Sequence, residues 1–104
     1  MSSPQPVGND TDESMDACVR TLAGIFRRDE PVWIIESVYE TNGPVWRVTL
    51  VCPGERGGWA RRRYRYDIPS GTLHFDGATP AGDDDLAAAR RSGQRLSATA
   101  GSPV

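Results

Sequence analysis

The chain has 104 residues, of which 38% are hydrophobic and 25% are charged, and its formal net charge is −2. A chain of this length can build one domain around one core, and its apolar content is above that of a fully disordered protein. The small net charge excludes a global electrostatic attraction to nucleic acid or anionic lipid, so any electrostatic function requires a local patch.

The first predicted element is a helix that follows a disordered tail. Residues 1–10 are rich in Ser, Pro and Gly and contain too few apolar groups to offset the entropy of ordering. From Asp12 onward, apolar residues recur at the spacing of one helical face, and Pro31 ends the pattern. The apolar face is formed by Met15, Cys18, Val19, Leu22, Ile25 and Phe26.

After Pro31 the hydrophobic period becomes two residues, which predicts an antiparallel meander of about four strands. Asn42-Gly43 is typical of a tight hairpin, and Pro69-Ser70-Gly71 is typical of a second turn. The predicted strands are 32–41, 45–52, 59–68 and 72–76.

Alternation within the strands predicts which side chains face the helix. The other side chains, many of them Arg or Thr, are expected on the opposite face, which a single helix would leave uncovered. The residues expected to face the helix are Trp46, Val48, Leu50, Cys52, Tyr64, Tyr66, Ile68, Leu73 and Phe75.

The C-terminal part is predicted to contribute little to the core. Residues 79–91 form a linker that can fold as a short helix, because Asp83–Asp85 and Arg90–Arg91 match the helix dipole. Residues 92–104 are expected to be a second disordered tail. The predicted organisation is therefore a tail over 1–10, a single α+β domain over 11–78, the linker over 79–91 and a tail over 92–104.

Six residues form the candidate binding site. Arginines at alternate positions of one strand are expected to share the outward face with a basic residue on each neighbouring strand, and a tryptophan lies at the rim. Forked Arg contacts can hold carboxylates or phosphates, and an exposed Trp offers a stacking surface. The candidate residues are Arg47, Trp59, Arg61, Arg63, Arg65 and His74.

The alternative interpretation of the same pattern is a solvated sheet face without a ligand. Half-buried antiparallel sheets normally carry charged side chains on their outer face. In that case the arginines pair with carboxylates of neighbouring positions, namely Glu36, Glu40, Asp67 and Asp76.

The sequence predicts no enzyme, no cofactor and no metal site. His74 beside Asp76 lacks a nucleophile or second acid with which to form a catalytic pair. Adjacent acids at Asp83–Asp85 point in different directions, so they favour a capping role over cation binding. Cys18 and Cys52 are interpreted as small buried apolar residues, and a single disulfide between them is left open as the alternative.

The sequence as written predicts a cytoplasmic location. Residues 1–10 lack the basic segment and apolar run of a signal peptide. No apolar segment is long enough to span a bilayer, so a membrane partner is not expected.

Two segments have a distinctive pattern: Val45–Leu50, an alternating strand, and Tyr64–Leu73, an aromatic strand followed by Asp, a turn with Gly and an apolar pair. Together with the order of the predicted elements, they resemble the second strand and the closing pattern of the PepSY domain, a small module of peptidase propeptides and bacterial envelope proteins. The resemblance covers about residues 14–76. It implies a binding or inhibitory module and supplies no catalytic residues. PepSY modules generally lie outside the cytoplasm, whereas the sequence as written has no signal peptide.

Two functions follow as expectations. The first is a non-enzymatic module that binds or inhibits a protein or peptide partner through the Arg-rich sheet face or an edge strand, and an acidic partner would suit it. The alternative is a domain that binds single-stranded nucleic acid through Arg and aromatic residues of the central strands.

Overall fold

The computed structural model describes residues 7–27 and 29–96 of the chain. The predicted tails at 1–10 and 92–104 therefore lie partly outside the described residues. Neither of the helices in this part is long and apolar enough to cross a membrane. The elements are, in chain order, α1 (Val7–Ala23), β1 (Trp33–Glu40), β2 (Val45–Pro53), β3 (Trp59–Asp67), β4 (Thr72–Pro80), α2 (Asp83–Ser92) and β5 (Gln94–Arg95).

The predicted α+β architecture and antiparallel meander are confirmed. The sheet has the strand order β4-β3-β2-β1-β5, and each neighbouring pair is antiparallel. Both predicted hairpin turns contain a glycine with positive φ, 74° at Gly43 and 70° at Gly71. Because other L-residues rarely adopt this conformation, these two glycines fix where the chain reverses.

Helix α1 packs on one face of the sheet, which we call the inner face. The alternation predicted for β2 and β3 is confirmed, since their aromatic and aliphatic side chains meet α1 in one buried cluster. The cluster contains Cys18, Val19, Leu22, Val32, Ile34, Trp46, Val48, Leu50, Cys52, Tyr64, Tyr66 and Leu96.

The bounds predicted for the first helix were wrong at both ends. Helix α1 begins at Val7, inside the segment expected to be a tail, and it ends at Ala23, well before Pro31. The backbone N–H of Gly24 donates to the carbonyls of Arg20 and Thr21, so the chain leaves the helix in a turn. Ile25 consequently lies 51% exposed instead of on the apolar face, whereas Phe26 still packs against the core.

Strand β4 is longer than predicted and carries a bulge. Tyr64 of β3 pairs with Phe75 and its neighbour Arg63 pairs with Gly77, which leaves Asp76 as the extra residue. Phe75 was expected to be buried, but it is 56% exposed. The centroid of its ring lies 5.4 Å from that of Tyr64, and because β4 is at the edge of the sheet, no further strand in the described part of the chain covers the other side of Phe75.

The C-terminal segment contributes more to the fold than predicted. Helix α2 forms, and β5 then pairs with the start of β1. Leu96, expected in the tail, is 1% exposed, and its backbone N–H donates to the Val32 carbonyl at 2.8 Å. Part of the segment predicted to be disordered is therefore core.

Both cysteines are free and buried, so the bridge left open between Cys18 and Cys52 is not formed. Burial raises the pKa of the Cys18 thiol to about 12 and also raises the pKa of Cys52. Both thiols remain protonated at neutral pH and behave as the small apolar residues that the sequence predicts.

Candidate binding surface on the outer face of the sheet

The face opposite α1, called the outer face, gathers basic residues from three strands. Arg47 of β2 lies directly opposite Arg65 of β3, and Arg65 lies opposite His74 of β4. Arg61 and Arg63 follow on the same side of β3 because strand residues alternate between faces. Like charges at opposed positions destabilise a sheet, so this arrangement needs carboxylates among the arginines.

Two carboxylates neutralise the charges of Arg47 and Arg65. The Arg47 Nε donates to Glu40 Oε2 at 2.6 Å, and this hydrogen bond is the main cause of the raised pKa of Arg47. Asp76 accepts a hydrogen bond from Arg65 Nη2 at 3.4 Å, and its other oxygen lies 4.0 Å from Arg47 Nη1. The bulge in β4 therefore places one carboxylate between two arginines.

The other two predicted carboxylate partners behave differently. Within residues 7–27 and 29–96, neither Glu36 nor Asp67 forms an ion pair with an arginine. Asp67 instead accepts hydrogen bonds from the backbone N–H and hydroxyl of Ser70, which holds the turn between β3 and β4. The paired-arginine interpretation thus holds for Glu40 and Asp76 only.

Arg61 is engaged by helix α2. Its Nε lies 3.6 Å from Asp85 Oδ1, and the other oxygen of Asp85 accepts from the backbone N–H of Gly82 at the start of the helix. Val51, opposite Arg61 on β2, is fully buried. The expectation of an uncovered outer face is therefore wrong at the end of the sheet that holds Arg61 and Val51, because α2 lies across that end.

Arg63 differs from the three other candidate arginines. Its exposed guanidinium makes no hydrogen bond or ion pair with any residue in the described part of the chain. It borders a depression of about 230 Å³ whose lining includes Glu36, Val38, Thr49 and Asp76. Thr49 is only 6% exposed, whereas Val38 is an exposed apolar side chain. The depression thus combines an accessible apolar group with a cation that no described residue pairs.

Trp59 and His74 lie at opposite borders of the outer face. Trp59 is 37% exposed and its ring lies 5.9 Å from that of Trp33, with an angle of 56° between the planes. His74 is exposed on the edge strand. No cluster of three or more His, Cys, Asp or Glu residues suited to a metal ion occurs among the residues described.

Two contributors to this surface were missed from the sequence. Asp85 holds Arg61, and Val38 supplies the apolar border of the depression. Val38 lies on the same face as Arg47, its partner on β2. The two-residue alternation of side chains along a strand could therefore have predicted its position. No sequence signal could have found Asp85, because its contact depends on where α2 docks.

Comparison of the chain with protein-family models, with curated proteins and with solved structures found no match. The resemblance to the PepSY domain stays a prediction.

Proposed function

We propose that this domain is a non-enzymatic module that binds a protein or peptide partner through its outer face. The observation that carries the proposal is the guanidinium of Arg63, which borders the depression without a carboxylate partner in the described chain. An acidic side chain of the partner would complete this site by a forked, charge-assisted contact.

The mixture of charges around Arg63 favours a peptide or protein over a polyanion. Glu36 and Asp76 line the depression, Glu40 pairs with the neighbouring Arg47, and Val38 adds accessible apolar surface. Protein interfaces combine apolar anchors with complementary charges of both signs. A nucleic-acid strand would bring its phosphates close to these carboxylates, so single-stranded nucleic acid remains the weaker alternative.

The resemblance to PepSY modules agrees with a binding or inhibitory role, since it implies no catalytic residues. The candidate arginines that are already paired have a supporting part in the proposal. Arg47 and Arg61 are paired with Glu40 and Asp85 and border the depression around Arg63. Arg65 does not border it and pairs with Asp76, which does.

Selection of peptides from a displayed random library tests the proposal even though the partner is unidentified. Wild-type domain is expected to enrich peptides that contain Asp or Glu next to an apolar residue. Arg63→Glu should weaken the selected peptides by about tenfold or more, because the partner's carboxylate then faces a like charge. Arg56→Glu, the same change in the exposed loop before β3, is the matched control and should alter affinity by less than about twofold.

Three outcomes would contradict the proposal. The first is that the domain enriches no more peptides than an unrelated protein of similar isoelectric point does. The second is an equal loss of affinity in the two variants, and the third is that the enriched peptides lack acidic residues. Binding to single-stranded oligonucleotides at low salt would instead support the nucleic-acid alternative, if the logarithm of the affinity falls linearly with the logarithm of the salt concentration.

A further inference from the structure

A second concave site lies where α2 crosses the outer face of the sheet. The cavity there has a volume of about 390 Å³, within the range of small-molecule pockets. It is lined by Trp33, Val51 and Trp59 from the sheet and by Leu86, Ala89 and Arg90 from the helix. Arg63 does not border this cavity and Trp59 does not border the depression around Arg63, so the two concave sites on the outer face are separate.

The walls of the cavity suit a flat apolar group. The Trp33 and Trp59 rings meet at 5.9 Å with their planes tilted by 56°, and neither tryptophan is fully buried. Val51 and Ala89 are buried and present only small side chains toward the space between helix and sheet. An aromatic ring inserted here would gain tilted contacts of the kind that aromatic side chains prefer among themselves.

The rim of the cavity carries a cation that has no acidic partner among the described residues. Arg90 is exposed and forms no ion pair with any carboxylate in residues 7–27 and 29–96. The acidic residues of α2 occupy its first turn, and Asp85 is engaged by Arg61 and Gly82. The local charge is therefore complementary to an anion at the mouth of an apolar pocket.

We propose that this cavity binds a small free aromatic carboxylate. The ring packs against the accessible sides of the Trp33 and Trp59 rings, and the carboxylate accepts hydrogen bonds from the Arg90 guanidinium. This ligand class goes beyond the peptide partner of the outer face, because it uses a different cation and a different cavity.

The three tryptophans of the chain provide a built-in test by ¹H–¹⁵N spectra of the indole groups. Trp33 and Trp59 line the cavity, whereas Trp46 is buried on the inner face and its Nε1 donates to Ser14 Oγ at 2.8 Å. Titration of the full chain with phenylacetate up to about 10 mM, enough to approach saturation at millimolar affinity, should shift the Trp33 and Trp59 signals and leave that of Trp46 unchanged.

Charge dependence is tested with a neutral probe and a pair of arginine variants. Phenylacetamide has the same ring without the charge and should bind the wild type about fivefold more weakly than phenylacetate. Arg90→Ala should lower phenylacetate affinity by about the same factor, typical of a partly exposed ion pair. Arg91→Ala, the adjacent exposed arginine of α2, should leave the affinity unchanged.

The proposal is overturned if phenylacetate gives no saturable shift, if the amide binds as tightly as the acid, or if the Trp46 signal moves with the other two. It is also overturned if only a peptide with a C-terminal Phe binds, because the cavity would then belong to a peptide site. A peptide selection that enriches nothing, with saturable phenylacetate binding intact, would remove the proposed peptide function and leave this site standing.

Discussion

The two faces of the sheet use the same strands but are held by different forces. On the inner face, side chains such as Val48 and Leu50 are fully buried against α1, and burial of apolar area stabilises them. On the outer face, Arg47 and Glu40 remain about half exposed, and such ion pairs contribute little to stability. The comparison indicates that the inner face supplies stability, whereas the outer face can change its charges at small cost and is suited to recognition.

The largest expected effect is on the inner face. Leu50→Ala removes a fully buried side chain from the central strand and should lower the free energy of unfolding by about 2–5 kcal/mol. Arg63→Ala on the neighbouring strand should change it by less than about 0.5 kcal/mol. Urea unfolding followed by Trp fluorescence measures both, and similar losses in the two variants would contradict the division between the faces.

The next effect tests whether the C-terminal segment belongs to the inner core. Leu96→Ala should cost about 2–4 kcal/mol, because its side chain is buried and its backbone pairs with Val32. Arg91→Ala, an exposed change in the same region, is the control and should be close to neutral. If Leu96→Ala unfolds at the wild-type urea concentration, the segment after α2 does not dock as described.

The free energy of unfolding should depend on pH through the Cys18 thiol, which is buried on the inner face. Because burial raises the pKa of this thiol from 9.0 to about 12, the unfolded chain releases the proton first as pH rises. Stability from this group is complete below pH 9 and is lost between pH 9 and 12, by up to about 1.4 kcal/mol per pH unit.

Urea unfolding at pH 8 and pH 10 under reducing conditions measures this loss. Cys18→Ala removes the titrating group, so the variant should lose less stability than the wild type between the two pH values. Equal losses would show that the thiol is not buried in the folded protein.

The smallest effect concerns the end of the outer face that α2 covers. Asp85→Ala removes both the acceptor for the Gly82 N–H and the partner of Arg61, and should cost about 1 kcal/mol. Asp84→Ala, an exposed acid in the same helical turn, should cost a few tenths of a kcal/mol. Amide hydrogen exchange of α2 should accelerate in Asp85→Ala only. Equal acceleration in both variants would show that Asp85 stabilises the helix only through its charge near the helix dipole and not through its contacts with Gly82 and Arg61.

The sequence predicted the parts of this comparison that depend on local pattern. Alternation over Trp46–Cys52 and Arg61–Tyr66 assigned both faces correctly, since side chains of a strand change sides at every residue. Arg63 was named from the same pattern, but its lack of a partner within residues 7–27 and 29–96 depends on which carboxylates the fold brings near.

The remaining features depend on contacts between distant segments. The bulge at Asp76 shifts the register of β4, and the docking of α2 brings Asp85 to Arg61. A single apolar residue in a polar segment, Leu96, gives no periodic signal, so its burial could not be predicted. These tertiary contacts decide which arginines are neutralised and where the two cavities lie.

Side-chain NMR of the domain with a selected acidic peptide tests the central claim most directly. We expect the peptide to shift the Arg63 Nε–H signal and the methyl signals of Val38 and Thr49, which border the depression. The methyl signals of Met15 and Ile25 on the α1 side should stay in place. Shifts at Met15 and Ile25 with unchanged signals from Arg63, Val38 and Thr49 would show that the partner binds the other side of the molecule.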